Sequence, residues 1–463
     1  MAKILFFNPP SRRTIYLDTN VRVGAPSYPN LSLAALAGAL VADHQVRIAD
    51  LDLFEDPAAE LAREVEEFKP DILASTANTP NYYAVRDLMR AARRLRPAMT
   101  TIVGGVHPTT MPDETAAEDC FDIVVLGEGD YAIPELLAGG PAAVKGIIYK
   151  EGGALKRTEP RERIKDINSL PFPAWELFPL HRYGNSRLSS RKNPAGLLET
   201  SRGCAFQCNY CNKKIFGSAF RTKTPARVVE EIKYLLRCGF REIHIIDDSF
   251  TQDLPRAKAV CEEILRHGLK FPWSLFNGIR VDTVDEEFFR LAKKAGLWQV
   301  GFGIETGNEE VLRRINKRIT LEQTEKAVRM ASRAGLDTFG FFILGLSGET
   351  ERSMRETIDF AKRLPLDTAK FDICIPYPGT PYYQELKAQG RIRTEDWGRY
   401  ICHQTGSPLF DHPGLPWDTI VRYYKLAFRE FYLRPSYIAR RFLRSLKKGD
   451  LLYDLVYFLR TKW

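Results

Sequence analysis

The chain has 463 residues, enough for two or three domains with sizeable cores, and its 44% hydrophobic and 27% charged content is that of an ordinary globular protein. No apolar run reaches the roughly 18–20 residues that span a bilayer. Of the net charge of +9, residues 421–463 hold eleven Lys and Arg against three acids, so the rest is nearly neutral; a general nucleic-acid binder would spread its basic patches over the fold, and that class is excluded.

The opening residues 1–10 read as a buried strand and loop rather than a secretory signal, so eight cysteines point to a reducing cytoplasm. Candidate strands at residues 3–8, 45–49, 71–75, 100–103 and 122–126 alternate with helical patterns at 32–42, 58–68, 82–95 and 131–137. This βαβ rhythm predicts a doubly wound, Rossmann-like parallel sheet, which binds ligands beyond the carboxyl ends of its strands. Four polar or glycine-rich loops follow those strands: Asn8-Pro-Pro, Ser75-Thr76-Ala-Asn, Gly104-Gly105-Val-His107 and Gly127-Glu128-Gly129-Asp130. Taken singly, Gly104-Gly105 is equally well a tight turn. Residues 150–194, with Gly152-Gly153 and the Pro-rich run Leu170-Pro-Phe-Pro-Ala-Trp, read as a linker.

From residue 197 the alternation resumes in longer units. Strands are predicted at 197–201, 242–247, 273–281, 299–305, 338–344 and 369–375, with helices at 226–238, 256–267, 286–295, 321–334 and 351–363. Six βα units suggest a partial TIM-like barrel, whose reacting groups sit at the carboxyl ends of its strands. The loop after the first strand carries Cys204, Cys208 and Cys211 in a Cys-x3-Cys-x2-Cys run. Thiolates select zinc, copper(I) or iron–sulfur clusters. Structural zinc wants a fourth protein ligand, and the nearest histidines are His181 and His244; a disulfide would strand the third thiol. Three ligands leave an open metal position, the mark of a catalytic centre. Gly203 allows close backbone approach, and Phe206 and Tyr210 can keep water from the metal. Asp247-Asp248-Ser249 ends the second strand, where a helix N-cap is the plain alternative to a ligand contact. Arg280 ends the third, as a bidentate donor or a rim salt bridge. Glu305, among glycines in Gly301–Gly307, offers the acceptor pair that two adjacent hydroxyls need. Gly345 lies in a glycine-containing turn after the fifth strand, and Pro376–Tyr382, after the sixth, reads as a rigid turn or a pocket cover.

The cysteine triplet with Tyr210 resembles the radical S-adenosylmethionine (SAM) superfamily, and the four amino-terminal loops ahead of it resemble its cobalamin (B12)-binding branch, the class B methyltransferase-like enzymes. The resemblance implies an α/β fold in four parts: a cobalamin-binding domain (1–149), a linker (150–194), a radical SAM barrel (195–400) and a helical basic carboxyl-terminal region (401–463). It implies a [4Fe–4S] cluster on Cys204, Cys208 and Cys211, with SAM chelating the fourth iron. Tyr210, Asp247, Asp248, Arg280, Glu305 and Gly345 are the implied SAM contacts. Those to cobalamin are Asn8, Ser75, Thr76, Gly104, Gly105, His107, Gly127, Glu128 and Gly129. The chain lacks the Asp-x-His-x-x-Gly motif that ligates cobalt, which implies cobalamin held without that histidine, or a domain that has lost it. The implied activity is radical methylation of an unactivated carbon or phosphorus in a metabolite, lipid or natural product, through a 5′-deoxyadenosyl radical and methylcobalamin. The alternative is a cyclase or rearrangement enzyme of a pigment or lipid pathway. A methylthiotransferase is disfavoured, since only Cys120 precedes the barrel. The implied partners are a small-molecule or lipid substrate and an electron donor such as flavodoxin or ferredoxin.

In the tail, residues 417–433 show an apolar helical stripe that stops near Pro435. Ile438, Phe442 and Leu446 continue one face with Arg440, Arg441, Arg444 and Lys447 opposite, and 451–459 is apolar almost all round. This is a cap on the barrel, or a peripheral contact with the anionic inner face of a membrane.

Overall fold

Near-continuous apolar strands can be satisfied only where helices cover both faces of a parallel sheet, and the chain builds two such sheets. The computed structural model describes residues 1–16 and 27–449. Strand β1 (Lys3–Asn8) buries Ile4 to Phe7 completely. It pairs in parallel with β2 (Gln45–Asp50) and β3 (Ile72–Thr76), and the sheet continues through β4 (Thr100–Gly104) and β5 (Ile123–Val125). These are the five predicted strands. A hairpin, β6 (Ile147–Glu151) and β7 (Ala154–Arg157), then adds two antiparallel strands, giving the order β2-β1-β3-β4-β5-β6-β7. Gly152 and Gly153, at φ 58° and 82°, make its two-residue turn. The start of the predicted linker is therefore part of the sheet. The rest of it is packed rather than loose: Trp175, Phe178 and Tyr183 are buried in the core shared by the two sheets.

The second sheet begins at β8 (Ala195–Leu198). Short antiparallel strands β9 (Ser201–Arg202) and β10 (Arg221–Thr222) follow. Then come β11 (Glu242–Ile245), β12 (Trp273–Ile279), β13 (Leu297–Glu305), β14 (Asp337–Leu344) and β15 (Thr368–Ile373). The order β15-β14-β13-β12-β11-β8 is parallel throughout, the open six-stranded barrel expected. Thr224, Asp253, Asp285, Thr320 and Thr350 each cap a barrel helix by accepting a backbone N–H three residues on. Asp253, not Asp247 or Asp248, is the cap of the second of these helices.

Helix Trp417–Tyr432 closes the barrel's open edge. Phe428 and Phe431 pack edge-on against Phe371 of β15, and Glu430 holds Arg355 at 2.5 Å and Lys362 at 2.7 Å. Helix Pro435–Lys448 is turned opposite to the simplest amphipathic expectation. Its Arg444 pairs with Asp337 and Asp367, and Arg440 donates to Leu366 O, so these two cations face the barrel. Ile438, Phe442, Leu443 and Leu446 are left 44–60% exposed. The physical reason is that the carboxylates at the amino-terminal ends of β14 and β15 need cations more than the helix's thin apolar stripe needs cover. Segment 451–459 lies outside the described residues.

Candidate functional site

The three cysteines sit on a loop, 203–220, pinched shut by β9 and β10. Gly203 takes φ 84°, and a Cβ there would lie 2.3 Å from Ala219 O, so only glycine allows the closure. Cys204 N donates to Gly217 O, Cys211 N to Cys208 O, and Lys213 Nζ to Cys204 O. Asn209 N donates to Ile315 O and Asn209 O accepts from Tyr382 N, locking the middle of the loop to the barrel. All three thiols are unpaired. Although Cys211 is reachable by water, surrounding protein and then the neighbouring Cys208 and Cys204 push its thiol up to about 12. Cys204 is raised as well, chiefly by burial. Three soft donors on one loop fit a cationic metal centre, whose charge would reverse the penalty on ionising Cys204 and Cys211.

Around the loop, Glu305 ends β13 at φ 67° beside a bulge in the β13–β14 pairing. A non-glycine residue in that region is strained, a feature that clusters at ligand sites. Glu305 Oε1 accepts from Lys317 Nζ at 2.6 Å, and the same ammonium reaches Tyr210 OH at 3.3 Å. Burial first, and Glu305 second, raise the Tyr210 phenol well above its ordinary value, so it stays a neutral hydroxyl. Lys317 was not legible in the sequence, because it lies in an irregular turn, Asn316-Lys317-Arg318, with no motif around it. Arg280 forks onto Asp282 through Nε and Nη2, both at 2.9 Å, and donates to Lys317 O. Its guanidinium lies 3.6 Å above the Phe206 ring, and the buried Nη1 is left without a partner. It is thus a rim salt bridge with one donor to spare.

Two of the expected SAM contacts are occupied otherwise. Asp247 is fully buried and both oxygens are consumed by Thr200 N, Thr200 Oγ1 and Ser201 Oγ at 2.5–2.6 Å, so it scaffolds the entry to the cysteine loop. Gly345, at φ 79°, would place a Cβ 3.1 Å from Ile420 of the capping helix, and its N–H donates to the buried Glu349. Asp248 is exposed and accepts from Gly203 N through one oxygen, leaving the other accessible. A further donor set, Asp372, Cys402 and His403, converges within 4.8 Å, but Lys370 at 3.1 Å already balances the Asp372 charge.

At the carboxyl ends of β1, β3, β4 and β5 lies a cavity of about 650 Å³, extending between the two sheets. Asn8, Ser75, Thr76, Gly104, Gly105, Gly127, Glu128 and Gly129 all line it. Asn8 is fixed by donating to Asp50 and accepting from Asn30, and Ser75 Oγ donates to Phe7 O. Gly105 takes φ 104°, and a Cβ there would meet Thr76 Oγ1 at 2.5 Å; Gly127, at φ 75°, has nothing within 4 Å of its Cβ position. At these glycines the loops present backbone to the cavity, which suits a large ligand approached closely.

His107 departs from expectation: it lies outside the cavity lining, fully buried against Tyr82 at 4.2 Å and Trp397 at 5.3 Å. Burial lowers its pKa to about 3, so it stays neutral. None of the seven histidines lines the cavity. The residues present fit a cobalamin without an imidazole below the metal.

Both parts of the chain are similar to known proteins. Residues 198–361 match the Radical SAM superfamily model, and residues 18–137 match the B12 binding domain model. An uncharacterized methyltransferase from Pyrococcus horikoshii is 33% identical over 449 residues, covering 95% of this chain and 94% of that protein. The anaerobic magnesium-protoporphyrin IX monomethyl ester cyclase of Cereibacter sphaeroides is 28% identical, covering 84% of this chain and 65% of the cyclase. Among solved structures, the radical SAM methyltransferase TsrM from Kitasatospora setae, with cobalamin and a [4Fe–4S] cluster bound, shares the fold: the TM-score is 0.68 at 23% identity, over 84% of this chain and 75% of that one. With both domains matched in one chain and the relation spanning nearly its whole length, the protein belongs to the cobalamin-binding-domain branch of the radical SAM superfamily.

Proposed function

We infer that the protein is a cobalamin-dependent radical SAM methyltransferase, whose cofactors are a [4Fe–4S] cluster, SAM and cobalamin, acting on an unactivated carbon or phosphorus of a metabolite, lipid or natural product. The observation that carries this is the juxtaposition of a three-thiol loop and a histidine-free cavity, in two sheets that share a hydrophobic core. The cofactors supply hydrogen-atom abstraction and the methyl group; the protein's part is to hold, orient and shield them. Cys204, Cys208 and Cys211 hold the cluster. Glu305, held by Lys317, presents acceptors for the SAM ribose hydroxyls. The spare Arg280 Nη1 can donate to the SAM carboxylate, and the open oxygen of Asp248 can accept from its ammonium. Phe206 and Tyr210 screen the reacting space from water.

The test is anaerobic reconstitution with iron, sulfide and cobalamin, followed by assay for 5′-deoxyadenosine from SAM and for product mass. A product heavier by one methyl group supports methylation. Relatedness to the ester cyclase makes ring closure the second reading, recognised by a product lighter by two hydrogens or carrying added oxygen. The free cysteines and the need for a low-potential electron favour the cytoplasm, with flavodoxin or ferredoxin as donor. No described helix is long and apolar enough to cross a membrane. The exposed stripe Ile438, Phe442, Leu443 and Leu446 supports peripheral contact with a lipid surface.

A further inference from the structure

Glu128 lines the cavity, yet its carboxylate is spent on the barrel. Oε1 accepts from Arg221 Nη1 at 2.8 Å and from Arg202 Nη1 at 3.1 Å; Oε2 accepts from Arg221 Nη1 at 2.9 Å and Ile164 N at 2.8 Å. Two residues on, Asp130 takes Arg202 through both terminal nitrogens at 2.9 Å. The two arginines are cross-strand partners of β9 and β10, the points where the three-cysteine loop leaves and re-enters the barrel. Both ends of that loop therefore hang on the loop whose Gly127 and Gly129 line the cavity. The side chains are 1%, 6% and 9% exposed for Glu128, Arg202 and Arg221, so salt and water screen this cluster little. Guanidinium–carboxylate forks fix orientation as well as distance.

We propose that Glu128, assisted by Asp130, is a positioning clamp that sets the distance and orientation between the cluster loop and the cobalamin cavity, so that hydrogen abstraction and methyl delivery meet at one substrate atom. This rests on cobalamin occupying the cavity. A misplacement of about 1 Å between reacting groups lowers rate on the order of a hundredfold, which is why a buried device at this junction matters to the reaction.

The test uses the full chain loaded with iron–sulfur cluster and cobalamin. The dipolar interaction between cob(II)alamin and the reduced cluster reads their separation by electron paramagnetic resonance, without any substrate. Glu128→Gln should retain iron and cobalamin yet shift or broaden that separation by about 1 Å or more, the scale at which positioning fails. Glu430→Gln, which breaks a comparable pair holding the capping helix, should leave it unchanged. A wild-type separation in Glu128→Gln, or the same change in Glu430→Gln, overturns the clamp. Where Glu128→Gln does not fold, Arg202→Lys keeps the charge and loses the two-nitrogen fork onto Asp130; it must show the shift, and a wild-type separation overturns the proposal. Amide exchange over residues 203–220 needs no cobalamin and should quicken in Glu128→Gln but not in Glu430→Gln. If wild-type protein binds no cobalamin, the functional reading fails, while exchange still decides whether residue 128 holds the cysteine loop.

Discussion

The barrel site and the amino-terminal cavity, proposed above as two cofactor sites, are built from different materials. In the barrel, chemistry-bearing side chains converge: three thiols, a strained glutamate, a lysine and an arginine with one donor spare. In the cavity, the loops at the strand ends offer glycine backbone and small polar groups beside apolar side chains such as Phe6, Tyr28 and Trp175, and the carboxylate of Glu128 directs its hydrogen bonds to the barrel. The difference teaches that the first site should fail when side-chain chemistry is removed, and the second when side-chain bulk is added.

The sharpest break of that comparison is at the cysteines. Cys204→Ala, Cys208→Ala or Cys211→Ala should abolish cluster absorbance and SAM cleavage while cobalamin binding survives. A triple variant that kept about four irons per chain would end the radical reading. Next in size is Glu305→Gln, which removes a charge-assisted acceptor and should weaken SAM binding by roughly ten- to a hundredfold, about 1.5–3 kcal/mol, at unchanged iron content. Lys317→Met should act in the same direction, because it frees Glu305 to swing; unaltered SAM affinity in both would make the pair structural.

On the other side, Gly105→Val adds bulk at φ 104° where a Cβ already meets Thr76 Oγ1. It should cost cobalamin binding but spare the cluster. In the wild type, the cob(II)alamin resonance should lack nitrogen hyperfine splitting from a protein imidazole, and splitting that vanished in His107→Ala would contradict the placement found here.

A smaller effect concerns pH. His107 has its pKa lowered from 6.5 to about 3 by burial. Below pH 6.5 the unfolded chain gains a proton that the folded chain refuses, so stability falls as pH drops through this window, by about 2 kcal/mol at pH 5. His107→Phe should flatten that dependence between pH 7 and 5 in denaturant melts, and an unchanged slope would assign it to other groups.

The smallest effect is at the tail. Binding of the full chain to anionic vesicles should be weak and salt-sensitive, since each cation near such a surface contributes roughly 1 kcal/mol. Phe442→Glu with Leu446→Glu should remove it with little loss of thermal stability. If vesicles do not bind at low salt, the stripe Ile438–Leu446 has no lipid role.

How legible was all this? The strand rhythm, the cysteine triplet and the order of the four loops could be read directly, because periodicity and capping are local. The hairpin β6–β7 was less visible, its strands being short and β7 exposed on every residue. What local pattern could not tell was which charge pairs with which. Asp247 and Asp248 look alike in sequence, but only Asp247 points at Thr200 and Ser201. Glu128 sits in a loop that reads as a ligand contact, and its partner Arg221 lies 93 residues away.

By itself, then, the sequence determined the element types, the two-sheet architecture and the thiol donor set, since these follow from hydrophobic period, turn chemistry and ligand spacing. The tertiary structure alone decided that Lys317 holds Glu305, that His107 is shut away from the cavity, that Arg444 of the last helix pairs with Asp337 and Asp367, and that Glu128 ties the cavity loop to both ends of the cysteine loop. Each of those depends on bringing distant charges or rings into a water-poor space, where an unpaired ion is costly and the partner that happens to be within reach, rather than the local pattern, settles the arrangement.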